Sequence, residues 1–420
     1  MRIAVVGTGI SGAASAWLLT GAGHEVHVFE RQDRLGGHTN TVDTPRGDGG
    51  TLGVDTGFIV YNEATYPLLV RLFDELGVAT QPSDMSWSLR CERCDLEYAG
   101  SPRGIAAQPA RLLRPGYLRM LSDIARFNRL GRRIVADGRT SSLTIGRFLE
   151  VAGLGHGFRA HYLLPMAAAI WSSGTGVIAE LPIDTLLRFF SNHGLLGVTT
   201  HHKWRTVTGG SSSYLGPLTA PYRERIHTGC RVTAVRRDRD AAQLTFADRT
   251  TRSFDAVLLA THADESLQLL VDPTPREQEL LGAWRYSTND TYLHTDASLL
   301  PRRRAAWASW NYLLDDCRVP TERVSLSYHM NRLQTLEEPR DYVVTLNPAT
   351  PPSPETVLRR LDYTHPVYTA ASVGTHDQLD ELNGTRRTFY AGAYQRYGFH
   401  EDGLWSAVRA VSHLGVRWPA

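Results

Sequence analysis

Residues 2–12 read RIAVVGTGISG, and this stretch decides the fold of the first part of the chain. RIAVV is an apolar run typical of a buried parallel strand, and residues 11–22 carry the small residues of a closely packed helix. Between them, Gly7, Gly9 and Gly12 form the pattern G-x-G-x-x-G. The first glycine permits a tight turn, the second lets the backbone approach a pyrophosphate, and the third allows close helix packing. The spacing therefore predicts a dinucleotide site at a helix N-terminus, which attracts anions.

The sequence after this helix supplies the acid that such a site requires. The run HEVHVFE ends at Glu30, eighteen residues after Gly12, where a carboxylate can bind the ribose hydroxyls of a dinucleotide. A glycine triplet alone is weak evidence, because glycine turns also arise by chance. Here a strand, a helix and a terminal acid all stand at the required spacing. We therefore expect the βαβ unit of a Rossmann-like domain.

Residues 30–41, ERQDRLGGHTNT, indicate which dinucleotide binds. This stretch resembles the flavin-dependent amine oxidase and phytoene desaturase superfamily, in which an acid, a short spacer, an arginine and a Gly-Gly pair form a second pyrophosphate loop. The resemblance implies FAD, bound non-covalently because no cysteine or histidine stands in a recognisable covalent-flavin motif. One departure is His38, which occupies a position where many members have arginine. On this resemblance the loop consists of Arg34, Gly36, Gly37, His38 and Thr39.

Three further stretches resemble elements of the same superfamily. GVDTGFIVYN, residues 53–62, is similar to the segment that runs beside the flavin, which implicates Asp55 and the residues after it. WRTVTGGSSSYLGPL, residues 204–218, resembles the Gly-Gly element and leads to a strand where the backbone of Val232 would meet the adenine. FYAGAYQRYGFHEDGL, residues 389–404, resembles the C-terminal flavin motif. The cofactor-binding residues implied by these stretches together are Gly7, Gly9, Ile10, Ser11, Gly12, Glu30, Arg31, Arg34, Gly36, Gly37, His38, Thr39, Thr56, Gly57, Phe58, Val232, Gly392, Glu401 and Asp402.

The C-terminal motif departs from the superfamily at Ala393, where other members often have an acid that binds the ribityl chain. We expect His400, Glu401 and Asp402 to make this contact instead. They precede a helix predicted to begin at Gly403, so capping of that helix is the alternative role for Asp402. The free N–H groups of the same helix end could instead support negative charge on a reduced flavin.

Tyr394, Tyr397 and His400 are the candidate catalytic residues. Amine oxidases place an aromatic side chain in this motif to orient an amine against the flavin, and the resemblance extends that role to the two tyrosines. Packing beneath the last helix is the alternative. Lys203, the only lysine in the sequence, does not match the superfamily's lysine motif and is expected at the surface. Trp171 is expected to line the substrate cavity or the adjoining core.

The chain has 420 residues, which exceeds what one ordinary hydrophobic core supports, so we expect two domains. The predicted fold class is α/β and amine-oxidase-like. It combines a Rossmann-like FAD-binding domain, with a parallel sheet and a three-stranded β-meander, and an inserted α+β substrate domain. We assign residues 1–60, 201–265 and 380–420 to the FAD-binding domain, and residues 61–200 and 266–379 to the substrate domain. The first of the two inserted segments reads as mostly helical.

The composition indicates where in the cell the protein is expected and which classes of partner it does not suggest. The 45 basic and 43 acidic residues give a net charge of +2, which does not suggest a nucleic-acid binder. The N-terminus lacks a signal-peptide pattern, and no apolar run reaches the roughly 18 residues that a membrane span requires. We therefore expect a soluble cytoplasmic protein.

The four cysteines are too few for a disulfide framework in a chain of this length. Cys91 and Cys94 form a CxxC pattern, whereas Cys230 and Cys317 are isolated in the sequence. A structural zinc site requires four ligands. We therefore expect paired free thiols near a turn, in preference to a metal or redox site.

Residues 111–135 form a basic amphipathic segment. Such a helix can lie on an anionic membrane surface and give an enzyme access to a lipid chain. The alternative is a surface helix whose apolar side packs on the core. The residues on which the pattern rests are Leu112, Leu118, Leu121, Ile124, Phe127 and Ile134, with Arg111, Arg114, Arg119, Arg126, Arg129, Arg132 and Arg133 against Asp123 alone.

The resemblance narrows to a bacterial group described only as predicted NAD/FAD-binding proteins, on the stretches DTGFIVYNEATYPLL, AAIWSS, FFSNHGLL, HMNRLQ and GFHEDGL. Genes of that group often neighbour relatives of cyclopropane-fatty-acyl synthase, which implies a lipid substrate. We expect an FAD-dependent oxidoreductase that abstracts a hydride from a carbon of a small hydrophobic substrate, either a lipid or isoprenoid chain or an amine. The product would contain C=C or C=N, and oxygen or another acceptor would reoxidise the flavin. The alternatives are a redox-neutral double-bond isomerase that uses flavin, and a flavin-less binding module.

Overall fold

The computed structural model describes residues 1–46, 49–138, 141, 143–197 and 202–418. Its strands, in chain order, are β1 (Arg2–Val6), β2 (Glu25–Phe29), β3 (Thr41–Pro45), β4 (Thr51–Asp55), β5 (Val60–Asn62), β6 (Thr80–Pro82), β7 (Trp87–Cys91), β8 (Leu96–Ala99), β9 (Trp204–Val207), β10 (Ile226–His227), β11 (Val232–Arg237), β12 (Ala242–Phe246), β13 (Thr251–Phe254), β14 (Ala256–Leu259), β15 (Arg285–His294), β16 (Trp310–Leu314), β17 (Leu326–His329), β18 (Val343–Leu346), β19 (Val357–Val367) and β20 (Thr388–Tyr390). Its α-helices are α1 (Ile10–Gly21), α2 (Pro67–Leu76), α3 (Pro102–Ile105), α4 (Pro115–Ala136), α5 (Ile145–Val151), α6 (His156–Phe158), α7 (Leu164–Trp171), α8 (Thr175–Ala179), α9 (Ile183–Asn192), α10 (Leu215–Thr219), α11 (Ala263–Leu269), α12 (Pro275–Gly282), α13 (Met330–Leu333), α14 (Ala370–Val373) and α15 (His400–Ser412).

A five-stranded parallel sheet carries the N-terminal βαβ unit, in the strand order β10-β2-β1-β14-β20. Strands β1 and β14 lie next to each other at its centre and are almost wholly buried, which explains why their sequences are apolar without alternation. Helices α1 and α15 pack on each other beside this sheet. The predicted Rossmann-like unit is therefore confirmed. So is the three-stranded meander, which consists of the antiparallel strands β11, β12 and β13.

A second sheet of seven strands has the order β19-β15-β18-β17-β16-β7-β8. All its pairs are antiparallel except β16 with β7. Strands β15, β17 and β18 lie in the second of the two segments assigned to the substrate domain. Strands β5 to β8 correct the expectation of a mostly helical segment from residue 61 onward. They are three to five residues long, and β7 is paired with a strand more than 200 residues later, so the local sequence carries little signal for them.

Helices α4 to α9 form a layer next to the seven-stranded sheet. Helix α4 packs through Tyr117, Met120 and Phe127, which are buried, so the apolar side of the segment 111–135 faces the core. Leu112 and Leu113 before α4 and Leu118 within it are exposed, Leu113 by 85%. No helix among the described residues combines the length and the apolar character needed to cross a bilayer.

Helices α6 and α7 are joined by a π-helical turn at Arg159–Leu163. Pro165 explains the turn, because proline has no N–H to donate and its ring would clash with the carbonyl four residues earlier. That carbonyl belongs to His161, and it accepts a hydrogen bond of 2.7 Å from the Tyr98 hydroxyl instead. The π turn thus fixes His161 against the hairpin formed by β7 and β8.

Helix α15 begins at His400 and not at Gly403, which corrects the predicted boundary. The Asp402 carboxylate accepts the N–H of Phe399 at 2.9 Å and so caps the helix from inside its first turn. Gly403 serves packing, because a Cβ there would lie 2.7 Å from Ile10 of α1. The glycine marks the contact of two helices and does not mark a helix end.

Candidate functional site

A cavity of about 1260 Å³ opens beyond the carboxyl ends of β1 and β2 and extends to the seven-stranded sheet and the helical layer. In an open parallel sheet this is the position where ligands bind. The predicted site residues that line it are Gly7, Gly9, Ile10, Ser11, Glu30, Arg31, Arg34, Gly36, Gly37, His38, Thr56, Gly57, Phe58, Val232, Gly392, Tyr394 and His400. Within the described chain, the predicted residues outside its lining are Gly12, Thr39, Tyr397, Glu401 and Asp402. Lys203 lies exposed at its edge.

The first glycine turn leaves one side open toward the cavity. Gly7 has a φ of +102°, and a Cβ there would lie 2.6 Å from the carbonyl oxygen of Ala260. A Cβ on Gly12 would lie 2.0 Å from the carbonyl oxygen of Gly7, so this glycine lets α1 start close to the sheet. A Cβ on Gly9 would meet nothing within 4 Å. The free space in front of Gly9 lies at the N-terminus of α1, where backbone N–H groups attract an anion.

The second glycine loop faces the first. Gly36 and Gly37 both have positive φ, and a Cβ on Gly37 would lie 3.2 Å from the Cα of Gly9. A side chain on Gly37 would therefore fill the gap between the two loops. This cradle of bare backbone, with Arg34 at its edge, fits the pyrophosphate of a dinucleotide.

Glu30 is oriented by the turn it follows. Its carboxylate accepts hydrogen bonds from the Thr8 N–H (3.1 Å), the Thr8 hydroxyl (2.6 Å) and the Gln32 N–H (2.9 Å). The acid is held at the cavity wall next to the glycine turn, which suits contact with ribose hydroxyls.

His400 joins three of the predicted segments at one point. Its ring stacks on that of Phe58, and its Nε2 lies 2.9 Å from the Thr39 hydroxyl and 3.3 Å from that of Tyr214. Burial lowers the pKa of His400 to about 3, so the ring is neutral near pH 7. Thr39 therefore positions His400 from behind the cavity wall.

Glu401 and Asp402 are turned away from the cavity. The Glu401 carboxylate accepts the N–H groups of Leu68 (3.0 Å) and Leu69 (2.9 Å), which are unpaired donors in the first turn of α2. Asp402 caps its own helix, and burial raises its pKa to about 7. The capping alternative for Asp402 thus describes what its side chain does.

Asp55 ties two segments of the site together from outside the cavity. Its carboxylate accepts hydrogen bonds from the Thr41 hydroxyl at 2.6 Å and from the N–H and hydroxyl of Ser211 at 2.8 Å each. Burial raises the pKa of Asp55 to about 6. The residue anchors the Gly-Gly element to β4.

Only one of the two tyrosines predicted to orient the substrate faces the cavity. Tyr394 lines the cavity, whereas Tyr397 packs edge-on against Phe189 away from it. Phe399, which the sequence reasoning missed, lines the cavity and stacks on Phe189 with ring centroids 5.3 Å apart. An aromatic residue directly before the helix was the available signal. Trp171 is buried in the core behind this wall.

A polar cluster joins the predicted residues His38 and Thr56 to Asn40, Tyr363 and His365, which the sequence reasoning missed. The Tyr363 hydroxyl accepts a hydrogen bond from the Asn40 amide (2.9 Å) and lies 2.7 Å from the Thr56 hydroxyl. The ring of His38 lies 5.0 Å from that of Tyr363 and 5.1 Å from that of His365. These side chains come from β19, from the second glycine loop with Asn40 after it, and from the turn after β4, and no local motif links the three.

A family model described as flavin-containing amine oxidoreductase matches residues 10–414. The chain belongs to the flavin-containing amine oxidoreductase family. The resemblance noted in its sequence motifs is thereby confirmed.

Two sequence relatives and two solved structures illustrate the range of this family. The chain is 26% identical over 301 residues to the protein named flavin-containing monoamine oxidase AofH of Mycobacterium tuberculosis, which covers 67% of this chain and 62% of that protein. It is 37% identical over 78 residues to the 15-cis-phytoene desaturase of Synechococcus elongatus, 19% of this chain and 15% of the desaturase. The chain therefore spans less than two thirds of the length of these relatives.

The cyclohexylamine oxidase of Brevibacterium oxydans has the same fold as this chain, with a TM-score of 0.69 and 16% identity. The match covers 99% of this chain and 98% of the oxidase. A fatty acid isomerase of P. acnes that produces CLA shares this fold with a TM-score of 0.66 at 16% identity, over 98% of both chains. At such low identity the similarity establishes the fold alone.

One of the four cysteines does not lie as the sequence suggests. Cys317 is not isolated, because it comes together with Cys91, Cys94 and His161. Cys230 lies apart from them and lines the large cavity.

Proposed function

We propose that the protein is an FAD-dependent oxidoreductase that removes a hydride from a carbon of a hydrophobic substrate and forms C=C or C=N. One observation carries the proposal: a single cavity joins the double glycine cradle to an apolar and aromatic wall. The first part fits a dinucleotide, and the second is suited to an apolar substrate.

The proposed cofactor is FAD, held without a covalent bond. The backbone of both glycine loops and the N-terminus of α1 would hold its pyrophosphate, and Glu30 would bind its ribose. Val232 would contact its adenine, while Phe58 and His400 would lie at the other end of the nucleotide. Flavin bound there supplies hydride acceptance from a substrate carbon, with oxygen or another acceptor restoring the oxidised form.

The wall beyond the cradle is built from two layers. Trp310 on β16 and Tyr328 on β17 pair across the sheet, with ring centroids 5.0 Å apart. Ile170 and Phe189 face the cavity from α7 and α9. Apolar surface of this kind excludes water and orients a hydrophobic chain or ring without fixed charges.

The charges around the cavity favour an uncharged reacting group. Two of the acids that line it in the described chain lie at the cradle. Glu30 accepts a hydrogen bond from Thr8, and Glu265 forms an ion pair with Arg31. Asp84 forms an ion pair with Arg332 at 3.0 Å. Asp362 on β19 is exposed. A buried ammonium group would thus lack a free carboxylate partner. We propose a fatty-acyl or isoprenoid chain, or an amine bound in its neutral form.

His365 is the group best placed to hold a proton on the polar wall. The Asn289 amide donates to His365 Nδ1 at 2.9 Å, which assigns the ring proton to Nε2. Burial lowers the pKa of His365 to about 4, so the ring stays neutral near pH 7. We propose that this N–H and the Tyr363 hydroxyl orient the polar atom of the substrate.

We also propose that the exposed leucines before and within α4 contact an anionic membrane surface from which a lipid substrate is drawn. Leu112, Leu113 and Leu118 are exposed beside Arg111 and Arg114. Apolar side chains that insert between headgroups, next to cations that attract anionic lipid, are the elements of interfacial binding.

Two measurements test the proposed function. Purified protein should be yellow and should release FAD on heating. Colourless protein that cannot be reconstituted with FAD would overturn the proposal in favour of a binding module. Under anaerobic conditions, a true substrate should bleach the visible flavin band and keep it bleached. Product formation without lasting bleaching would indicate a double-bond isomerase instead.

A variant of the apolar wall tests the substrate class. Ile170→Asn places an amide in the wall and should raise KM for an apolar chain about tenfold or more, because an unpaired polar group is desolvated on binding. Val177→Asn, on exposed surface of α8, is the matched control and should leave KM unchanged. An unchanged KM in Ile170→Asn would place the substrate elsewhere.

A further inference from the structure

Three of the four cysteines and one histidine converge outside the flavin cavity. Cys91 ends β7, Cys94 lies in the turn to β8, Cys317 follows β16, and His161 lies in the π-helical turn. The four ligand atoms, three Sγ and one imidazole nitrogen, all lie within 4.8 Å of one another. Three separate parts of the chain therefore bring metal-binding atoms to one point.

The distances suit a single tetrahedral ion. Zinc bonds of about 2.3 Å to sulfur and about 2.0 Å to nitrogen place two sulfurs about 3.8 Å apart and sulfur and nitrogen about 3.5 Å apart. The Cys94 Sγ and His161 Nε2 atoms are 3.4 Å apart. The cluster is thus close to the dimensions that a bound ion would impose.

An arginine side chain binds the turn that carries Cys94. Asp95 has a φ of +52°, the left-handed conformation that aspartate can adopt in a tight turn. Arg111 donates to the carbonyl oxygens of both Cys94 and Asp95. A positive charge beside the turn stabilises the net negative charge of one divalent ion with three thiolates.

The hairpin turn is also fixed to the strand that precedes Cys317. The N–H of Glu92 donates to the Leu314 carbonyl at 2.8 Å, and that of Arg93 donates to the Asp315 carbonyl at 3.0 Å. The backbone carbonyl of His161 accepts a hydrogen bond from the Tyr98 hydroxyl at 2.7 Å. The ligands are therefore preorganised by contacts that do not need the ion.

A cavity of about 450 Å³ reaches the cluster from outside. Cys94 and His161 both line it, together with Tyr117 and Met120 of α4. Two of the ligands can thus be reached by an ion after the chain has folded.

We propose that Cys91, Cys94, Cys317 and His161 bind one structural Zn²⁺ ion. Three thiolates and one imidazole are a common closed zinc ligand set, and soft sulfur ligands disfavour Mg²⁺ and Ca²⁺. An iron–sulfur cluster is disfavoured because its cysteines bind different irons, whereas these ligands surround one point. The bound ion replaces three thiol protons, so its affinity rises with pH. It fastens the helical layer to β7 and β16, and β16 carries Trp310 of the cavity wall.

Metal analysis of the purified, dialysed protein tests the proposal. We expect about one zinc per chain. After removal of zinc, Co²⁺ should restore one equivalent of binding, with thiolate-to-cobalt charge-transfer bands and the strong visible bands of a tetrahedral site. Cys317→Ser and His161→Ala should lower the metal content at least tenfold. Two controls should keep the wild-type metal content. Cys230→Ser changes the cysteine outside the cluster, and His156→Ala changes a histidine close to His161.

Two outcomes would overturn the proposal. One is wild-type protein without metal that gives no tetrahedral Co²⁺ spectrum. The other is a disulfide between two of the three clustered cysteines, seen as loss of two reactive thiols that a reductant restores. Both are measured on the wild-type protein, so they decide the matter even where a variant does not fold. Neither depends on whether FAD is bound.

Discussion

The ring of Phe58 stacks on the ring of His400, with centroids 3.7 Å apart and planes 12° from parallel. The first residue follows β4 and the second opens α15, so the stack joins chain segments more than 300 residues apart at the edge of the cavity. Its tight enclosure keeps the imidazole neutral. Protonation of His400 must therefore weaken the fold at the point where the proposed nucleotide ends.

His400 makes the stability of the protein depend on pH. Burial lowers its folded-state pKa to about 3, against about 6.5 when unfolded, so between these values only the unfolded state binds the proton. The free energy of unfolding thus rises with pH across this window, by up to about 1.4 kcal/mol per pH unit. In His400→Gln this contribution is absent. Urea unfolding at several pH values between 4.5 and 6 should show that the free energy of unfolding rises less steeply with pH in His400→Gln than in the wild type.

A second titrating group on the same helix turn acts in the opposite direction. The pKa of Asp402 is raised to about 7, so the folded state binds a proton that the unfolded state has lost, and stability falls as pH rises toward 7. The effect of His400 must therefore be measured as a difference from the wild type. His413→Gln, at the far end of α15, serves as the control. Equal slopes in His400→Gln and the wild type would contradict the prediction.

Gly9 is expected to control cofactor retention without controlling the fold. Its φ is −60°, and an added Cβ would point into free space at the cradle. Gly9→Ala should therefore fold, with a loss of no more than about 1 kcal/mol at this helix N-cap position. The methyl group would occupy space in front of the α1 N-terminus, so the purified variant should contain at most about a tenth of the wild-type FAD. Absorbance in the visible flavin band measures this.

Two glycines of the same helix separate cofactor loss from unfolding. Gly21→Ala has room for its Cβ and should keep both the FAD content and the melting temperature. Gly12→Ala would place its Cβ 2.0 Å from the Gly7 carbonyl oxygen, so it should lower the melting temperature strongly. Full FAD content in Gly9→Ala would show that the pyrophosphate lies elsewhere.

The parts of the site that could be predicted from sequence are those made within one short segment. The strand, turn and helix around Gly7 to Gly12 obey local rules, and so does the ribose acid Glu30 that follows. Phe399 and His365 were missed because their position in the cavity depends on which strands and helices pack together. Cys317 is the extreme case: its sequence neighbours are unremarkable, and only the pairing of β16 with β7 brings it to Cys91.

Glycines and acids misled the prediction of α15 for a physical reason. Gly403 was predicted as the start of the helix, yet it lies inside the helix where α1 approaches. Glu401 suggested a flavin contact because it stands in the motif, yet its carboxylate caps α2. Sequence identifies residue types that can do several tasks, and the packing partner selects the task.

The proposed membrane surface predicts a change in lipid binding. Leu113, which is 85% exposed, should insert between headgroups, so Leu113→Asp loses apolar area and adds charge repulsion. We expect at least a fivefold weaker binding to vesicles that contain an anionic phospholipid, measured by co-sedimentation. Val319→Asp, at an exposed valine outside α4, is the control and should bind as the wild type does. Wild-type protein that stays in the supernatant would end the membrane proposal and leave the cavity assignment intact.

A buried ion pair holds the meander to the parallel sheet. Arg237 of β11 donates to both oxygens of Glu277 of α12, at 2.5 and 3.0 Å, and both side chains are fully buried. The Tyr390 hydroxyl also donates to Glu277.

Glu277→Gln leaves a buried guanidinium without its main partner and should lower the free energy of unfolding by about 3–5 kcal/mol. Glu279→Gln, which removes the exposed pair with Arg276, should lower it by less than about 1 kcal/mol. The double variant Arg237→Met with Glu277→Leu should recover much of the loss, since no charge then remains buried. Urea unfolding of the four proteins tests the whole set, and equal losses in Glu277→Gln and Glu279→Gln would refute the structural role given to the buried pair.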